Sequence, residues 1–189
     1  MSFKEKVNMA DSCDATVVRG ATHSEVTSIT GYYTVECRDA EGKLKWADDI
    51  HNLVTTVGKN RTMDIILGNT AAGIVYMGLK GTGTAAVGDT QGSHAGWAEV
   101  GGANAPTYTG NRQTPTFSAA SGGAKATSTA VVFTMSGSGT VSGCFINIGG
   151  SATKDDTTGT LFSAGDFTAG SKTVTSGDTL SVTYTATAA

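Results

Sequence analysis

Proline is nearly missing from this chain: only Pro106 and Pro115 occur in 189 residues. Proline-rich recognition segments and stiff extended linkers are thereby excluded. Charge is scarce as well, at 15% of residues with a net value of −3. The lysines and arginines are scattered, not gathered into a stripe, so a grip on nucleic-acid phosphates is not expected. No apolar run approaches the roughly 20 residues that a membrane-spanning helix requires, and no membrane partner is expected. Met1 to Ala10 carries no apolar core of a cleaved signal peptide, so export by that route is not expected.

Cysteine is sparse and odd in number: Cys13, Cys37 and Cys144. Their wide spacing matches neither a disulfide framework nor a zinc motif. Cys37 and Cys144 read as small hydrophobes inside strands. One disulfide stays open, because spacing cannot choose the pair. The histidines His23, His51 and His94 lie at no metal-binding spacing. Asp48-Asp49-Ile50-His51 is the most suggestive cluster and reads as a solvated strand end. Asp155, Asp156 and Asp166 offer oxygen ligands suited to Ca²⁺, but at no EF-hand spacing. Nucleophile elbow, phosphate loop and dinucleotide fingerprint are all missing. A glycan hydrolase needs two carboxylates held across a cleft, and no compelling pair stands out. The expectation is a protein that is not an enzyme, with no catalytic residue, no cofactor and no metal.

What is present is small and β-forming. Gly, Ala, Thr and Ser dominate the second half, interrupted by short apolar runs. Thr and Val suit a pleated, half-buried surface and Gly suits turns. Gly31 to Ile50 reads as a hairpin: Tyr33, Val35 and Cys37 alternate with Thr34, Glu36 and Arg38, and Leu44 and Trp46 alternate with lysines. Asp39-Ala40-Glu41-Gly42 is its turn. Residues 55–67 form the one convincing helix, capped by Thr55 or Thr56 and stopped at Gly68-Asn69. Its Met63, Ile66 and Leu67 share a face expected to pack on a sheet. Further strands are predicted over 73–80, 108–117, 130–135, 140–148, 160–162, 172–174 and 179–187, separated by glycine-containing turns. The spacing predicts a mainly β fold: an antiparallel, jelly-roll-like β-sandwich with one short α-helix and an N-terminal arm. The arm covers 1–28, which lacks periodicity, and the sandwich domain covers 29–189.

Several phrases form an ordered set: Ile50-His51-Asn52-Leu53-Val54-Thr55, Val75 to Lys80, Gly88-Asp89-Thr90, His94 to Val100, Arg112 with Phe117, Val141 to Phe145, Gly159 to Phe162 and Phe167 to Thr187. Together they resemble a family of small virion proteins of tailed bacteriophages, either head-decoration (cement) or tail-associated proteins. The resemblance spans Gly31 to the C-terminus and brings no catalytic residues. It implies a structural protein of the virion, made in the host cytoplasm and placed on the capsid surface. The implied partners are the major capsid protein and further copies of the chain, in a homo-oligomer such as a trimer. The expected assembly contacts are Val17 and Val18 in the arm, with Trp97 and Tyr108 as exposed aromatics. The alternative is a tail-fibre or baseplate-associated protein that touches host glycans through such an aromatic.

Overall fold

The computed structural model describes residues 28–188. The expected arm, with Val17 and Val18, therefore lies outside the described residues apart from Ser28. The elements run β1 (Ile29–Arg38), β2 (Leu44–Val54), α1 (Thr56–Ile66), β3 (Val75–Gly83), β4 (Trp97–Val100), β5 (Ala124–Ala126), β6 (Val131–Thr134), β7 (Gly139–Val141), β8 (Gly143–Ile148), β9 (Thr160–Asp166), β10 (Lys172–Val174) and β11 (Thr179–Ala188). Among the described residues the fold is mainly β and antiparallel with one helix, as the alternation predicted.

The first hairpin shows why. Tyr33, Val35 and Cys37 are wholly buried while Thr34 and Arg38 face out, the period-two signature of a one-sided sheet. The Asp39 carboxylate accepts the Lys43 amide at 2.8 Å, and Gly42 takes φ +83° in the turn. Leu44 departs from expectation and is 47% exposed. An irregularity between Cys37 and Arg38 sets Leu44 opposite Arg38, on the outer face.

One continuous path, β4-β3-β8-β9-β2-β1-β11-β5, orders the large sheet, and β6 also pairs with β11. β2 meets β9 only through Leu53–Ala164 and Val54–Ser163. At that narrow junction the sheet folds over itself. Tyr33, Val35, Phe133 and Val182 of one half then share a core with Met77, Leu79 and Ile146 of the other. β7 and β10 pair separately at the flank.

Three expectations need correction. The stretch 108–117 is not a strand; it touches the sheet by single bridges of Tyr108 to Met135, Gln113 to Met77 and Phe117 to Thr127. Pro115 has no amide to donate, so a ladder cannot run through it. The stretch 140–148 is two strands, because Ser142 leaves the β7–β10 pair to donate its amide to Lys80 O at 2.8 Å. The third concerns α1. Met63, Ile66 and Leu67 do not pack on the sheet but are 53%, 69% and 75% exposed. The helix turns its other side to the domain: Gly58, Arg61, Thr62 and Ile65, at helical spacing, are buried or half-buried. Thr55 caps the helix by accepting the Gly58 amide at 3.0 Å. Its own amide donates to Phe162 O of β9 at 3.1 Å. A Cβ on Gly58 would lie 2.2 Å from that same Phe162 oxygen, so glycine sets the depth of docking.

Candidate functional site

β4 is an edge strand, and three loops close over its outer side. The loop preceding it supplies Asp89, Gln91 and His94; those following supply Asn104 and Arg112, and the β8–β9 connection supplies Asp155 and Asp156. Between them lies a cleft of about 450 Å³.

Trp97 forms its inner wall. The indole Nε1 donates to Asp89 Oδ2 at 2.9 Å, His94 stacks on it with centroids 4.0 Å apart, and Phe145 packs behind at 5.4 Å. His94 Nδ1 donates to Trp97 O at 3.0 Å, leaving Nε2 as its remaining ring nitrogen. Trp97 is only 5% exposed and Tyr108 only 2%. Neither is an exposed contact aromatic, which corrects the expectation for both. Large amphipathic rings are buried where their body can be covered. Tyr108 packs edge-on against Phe133 at 5.1 Å, under the Lys154 ammonium 4.0 Å from its ring centre. Its hydroxyl has no partner among the described residues. Burial and the nearby Glu99 charge push that phenol well above its ordinary pKa.

The floor is a buried ion pair. Arg112 Nε and Nη2 donate to Glu99 Oε1 and Oε2 at 2.9 and 2.6 Å, with both side chains almost sealed from solvent. Such two-pronged geometry matches the planar fork of guanidinium to carboxylate. Arg112 also donates to Ser151 O at 3.1 Å and Asp156 O at 2.7 Å. The Asp155 amide donates to Glu99 Oε2 at 3.0 Å. The pair thus ties the β8–β9 loop to β4. Lys154 adds a second tie, donating to Gly101 O at 2.8 Å and Tyr108 O at 2.6 Å. Burial lowers the Lys154 pKa, against the pull of Glu99 and Asp155.

With both oxygens engaged by Arg112, Glu99 is a poor proton shuttle, and its work is to brace. The cleft walls still present hydrogen-bonding groups. Gln91 is buried with its Oε1 unpaired, and Asp155 and Asp156 line the mouth. The Thr158 hydroxyl and amide hold the Asp156 carboxyl below its usual range. This arrangement suits a neutral ligand rich in hydroxyl donors.

The other singled-out carboxylates go elsewhere. Asp166 pairs with the buried Lys80, which stands directly opposite Glu99 in the β3–β4 ladder, and Asp48 pairs with Lys172 at 2.9 Å. His51 is exposed, its ring edge-on to Tyr32 at 5.4 Å. Among the described residues no three metal-ligating side chains converge. Cys37 and Cys144 are free thiols in the core, as read from their strand positions. Burial and the Asp178 charge raise Cys37 to about 11. Sequence reasoning missed the Glu99–Arg112 pair and Lys80. The only signal was a charged residue closing an otherwise apolar run, as Lys80 closes Val75 to Leu79 and Glu99 interrupts Trp97 to Val100. Set beside known proteins, the chain matches no family model, no curated protein and no solved structure.

Proposed function

We propose that the protein is a non-enzymatic structural component of a tailed-phage particle, a decoration protein that binds the outer head surface and stabilises the shell. The ordered phrases from Gly31 onward support the phage half of this reading. The observation that carries the assembly half is α1: Met63, Ile66 and Leu67 form an exposed apolar stripe on a helix docked by its opposite side. Contiguous exposed apolar surface on a soluble domain marks a contact face. Binding only the assembled shell stabilises it by mass action, and copies of the chain joined in an oligomer would add avidity. The major capsid protein is the partner in this reading.

Co-sedimentation with heads stripped of accessory proteins tests it. Saturable binding, with a higher temperature of shell disruption, is the expected result. Ile66→Lys/Leu67→Lys should weaken that binding at least tenfold. Binding to tails or host cells, with none to heads, overturns it.

The second reading is a tail-associated protein that contacts host glycans. It is favoured by the cleft around Gln91, His94, Asp155 and Asp156, where the unpaired Gln91 Oε1 and the carboxylates at the mouth suit sugar hydroxyls. Soluble host glycan that protects the His94–Trp97 stack from fluorescence quenching would support it. No response at high sugar concentration counts against it.

A further inference from the structure

One buried charge has no part in bracing the cleft. Lys80 of β3 is wholly sealed from solvent, and a lysine is almost never fully buried unless it is paired. Leu79 before it enters the core, so Lys80 takes the opposite face of the sheet. There Gly143 of β8 stands beside it, and Asp166 of β9 stands beside Gly143. Residues opposite one another in neighbouring strands share a face. The middle position has no side chain, so Lys80 crosses β8 and its ammonium meets the Asp166 carboxylate, 86 residues away in the chain. A Cβ at Gly143 would run into the Gly165 carbonyl oxygen, so the crossing stays clear.

The amine is tightly held. Its Nζ donates to Gly81 O at 3.3 Å, to Gly83 O and to Asp166 Oδ1. The Trp97 ring lies 5.7 Å away, within the small apolar cluster that it forms with Phe145, Leu161 and Ala164. The Asp166 side chain differs in being 38% exposed. Glu99 is a second carboxylate on this face, opposite Lys80 in the β3–β4 ladder. Arg112 engages both of its oxygens. The carboxyl that the Lys80 amine faces is therefore that of Asp166.

We propose that Lys80 and Asp166 join through an amide bond, a covalent staple between β3 and β9 that the folded chain forms on itself. The ammonium passes a proton to the carboxylate along the hydrogen bond they share, leaving a neutral amine and a carboxylic acid. The Nζ lone pair attacks Cγ, and an N–C bond forms. A C–O bond of the carboxyl then breaks. Its oxygen takes a second proton from Nζ and leaves as water, and one N–H remains on the amide. One water is lost, and nothing is oxidised or reduced. The fold holds the two reacting groups in contact, which replaces a bimolecular encounter. Burying a charged amine is costly, and the amide removes both charges. The open side of Asp166 gives the water its exit. The staple belongs to the isolated chain and forms whether or not the protein joins a particle.

Intact-mass spectrometry of the full chain tests it. The expected mass lies one water below the sequence value, with or without Met1, and persists after denaturation. Digestion should release a branched peptide joining the segment around Lys80 to the segment around Asp166. Acetylation in denaturant should label every lysine except Lys80. Lys80→Met keeps a long unbranched side chain without the amine and should restore the full mass, as should Asp166→Ala. The wild-type mass and labelling decide the matter even where a variant fails to fold. A mass equal to the sequence value, with Lys80 acetylated, overturns the inference and leaves an ordinary ion pair. A lost water that maps to a cyclised aspartate, with no branched peptide, overturns it equally.

Discussion

Gly58 sits in the first turn of a helix, where propensity favours alanine by about 1 kcal/mol. Its surroundings reverse that preference, because a Cβ would lie 2.2 Å from the Phe162 carbonyl oxygen. Overpacking of a tight contact costs about 1–3 kcal/mol. Gly58→Ala should therefore destabilise the protein by about 1–2 kcal/mol in urea unfolding, and a stabilised variant would show that the helix can back away. Tyr108 makes the opposite case. Its buried hydroxyl lacks a partner among the described residues, and a buried unpaired hydroxyl costs about 1–3 kcal/mol. Tyr108→Phe should be neutral or stabilising by up to about 1 kcal/mol. A loss beyond that would reveal a partner for the hydroxyl.

At the scale of elements, α1 separates folding from assembly. Its stripe of Met63, Ile66 and Leu67 is solvent-exposed, so charge there removes little buried surface. Ile66→Lys/Leu67→Lys should shift unfolding free energy by less than about 0.5 kcal/mol per site while weakening attachment to heads. A large fall in stability would mean that the stripe is covered in the free protein. The β2–β9 junction is the other element that matters. Two residue pairs join the halves, and the remaining cohesion comes from the shared core around Tyr33, Met77 and Ile146.

For the whole molecule, acid lability follows from carboxylates held in their charged form. Burial alone would raise Asp178, but the Lys45 ammonium at 2.5 Å and bonds from Thr175 outweigh it and hold the carboxyl below its ordinary value. Burial likewise opposes, and Lys172 with the amides of Asp49 and Ala169 outweighs it, at Asp48. Folded values below the unfolded one, about 3.9 for Asp, mean that the unfolded chain binds more protons as pH falls. The contribution is full above about pH 5 and is lost as pH drops through 4 towards the folded values. Melting temperature should fall steeply below about pH 4, and Asp178→Asn should lower it at pH 7 while flattening that fall. An acid limb unaltered in this variant would assign the lability to other groups.

The strands and turns were legible because their causes are local. Alternation in Tyr33-Thr34-Val35-Glu36-Cys37 and in Leu180 to Thr185 fixes which side faces inward, and glycines such as Gly42 and Gly177 mark the reversals. Period and turn chemistry act over a few residues, so the sequence by itself determined a mainly β, antiparallel fold with one capped helix. It did not determine what those elements meet. Ala124–Ala126 carries no strand signal and is a strand because β11 offers it a ladder. Trp97 and Tyr108 read as free aromatics until distant loops cover them, and Glu99 and Arg112 become a pair only when β4 and the 101–112 loop are brought together. The helix stripe reads as core, yet Gly58 against Phe162 turns it outward. Those outcomes depend on contacts between residues far apart in the chain, and only the folded sheet brings such residues together.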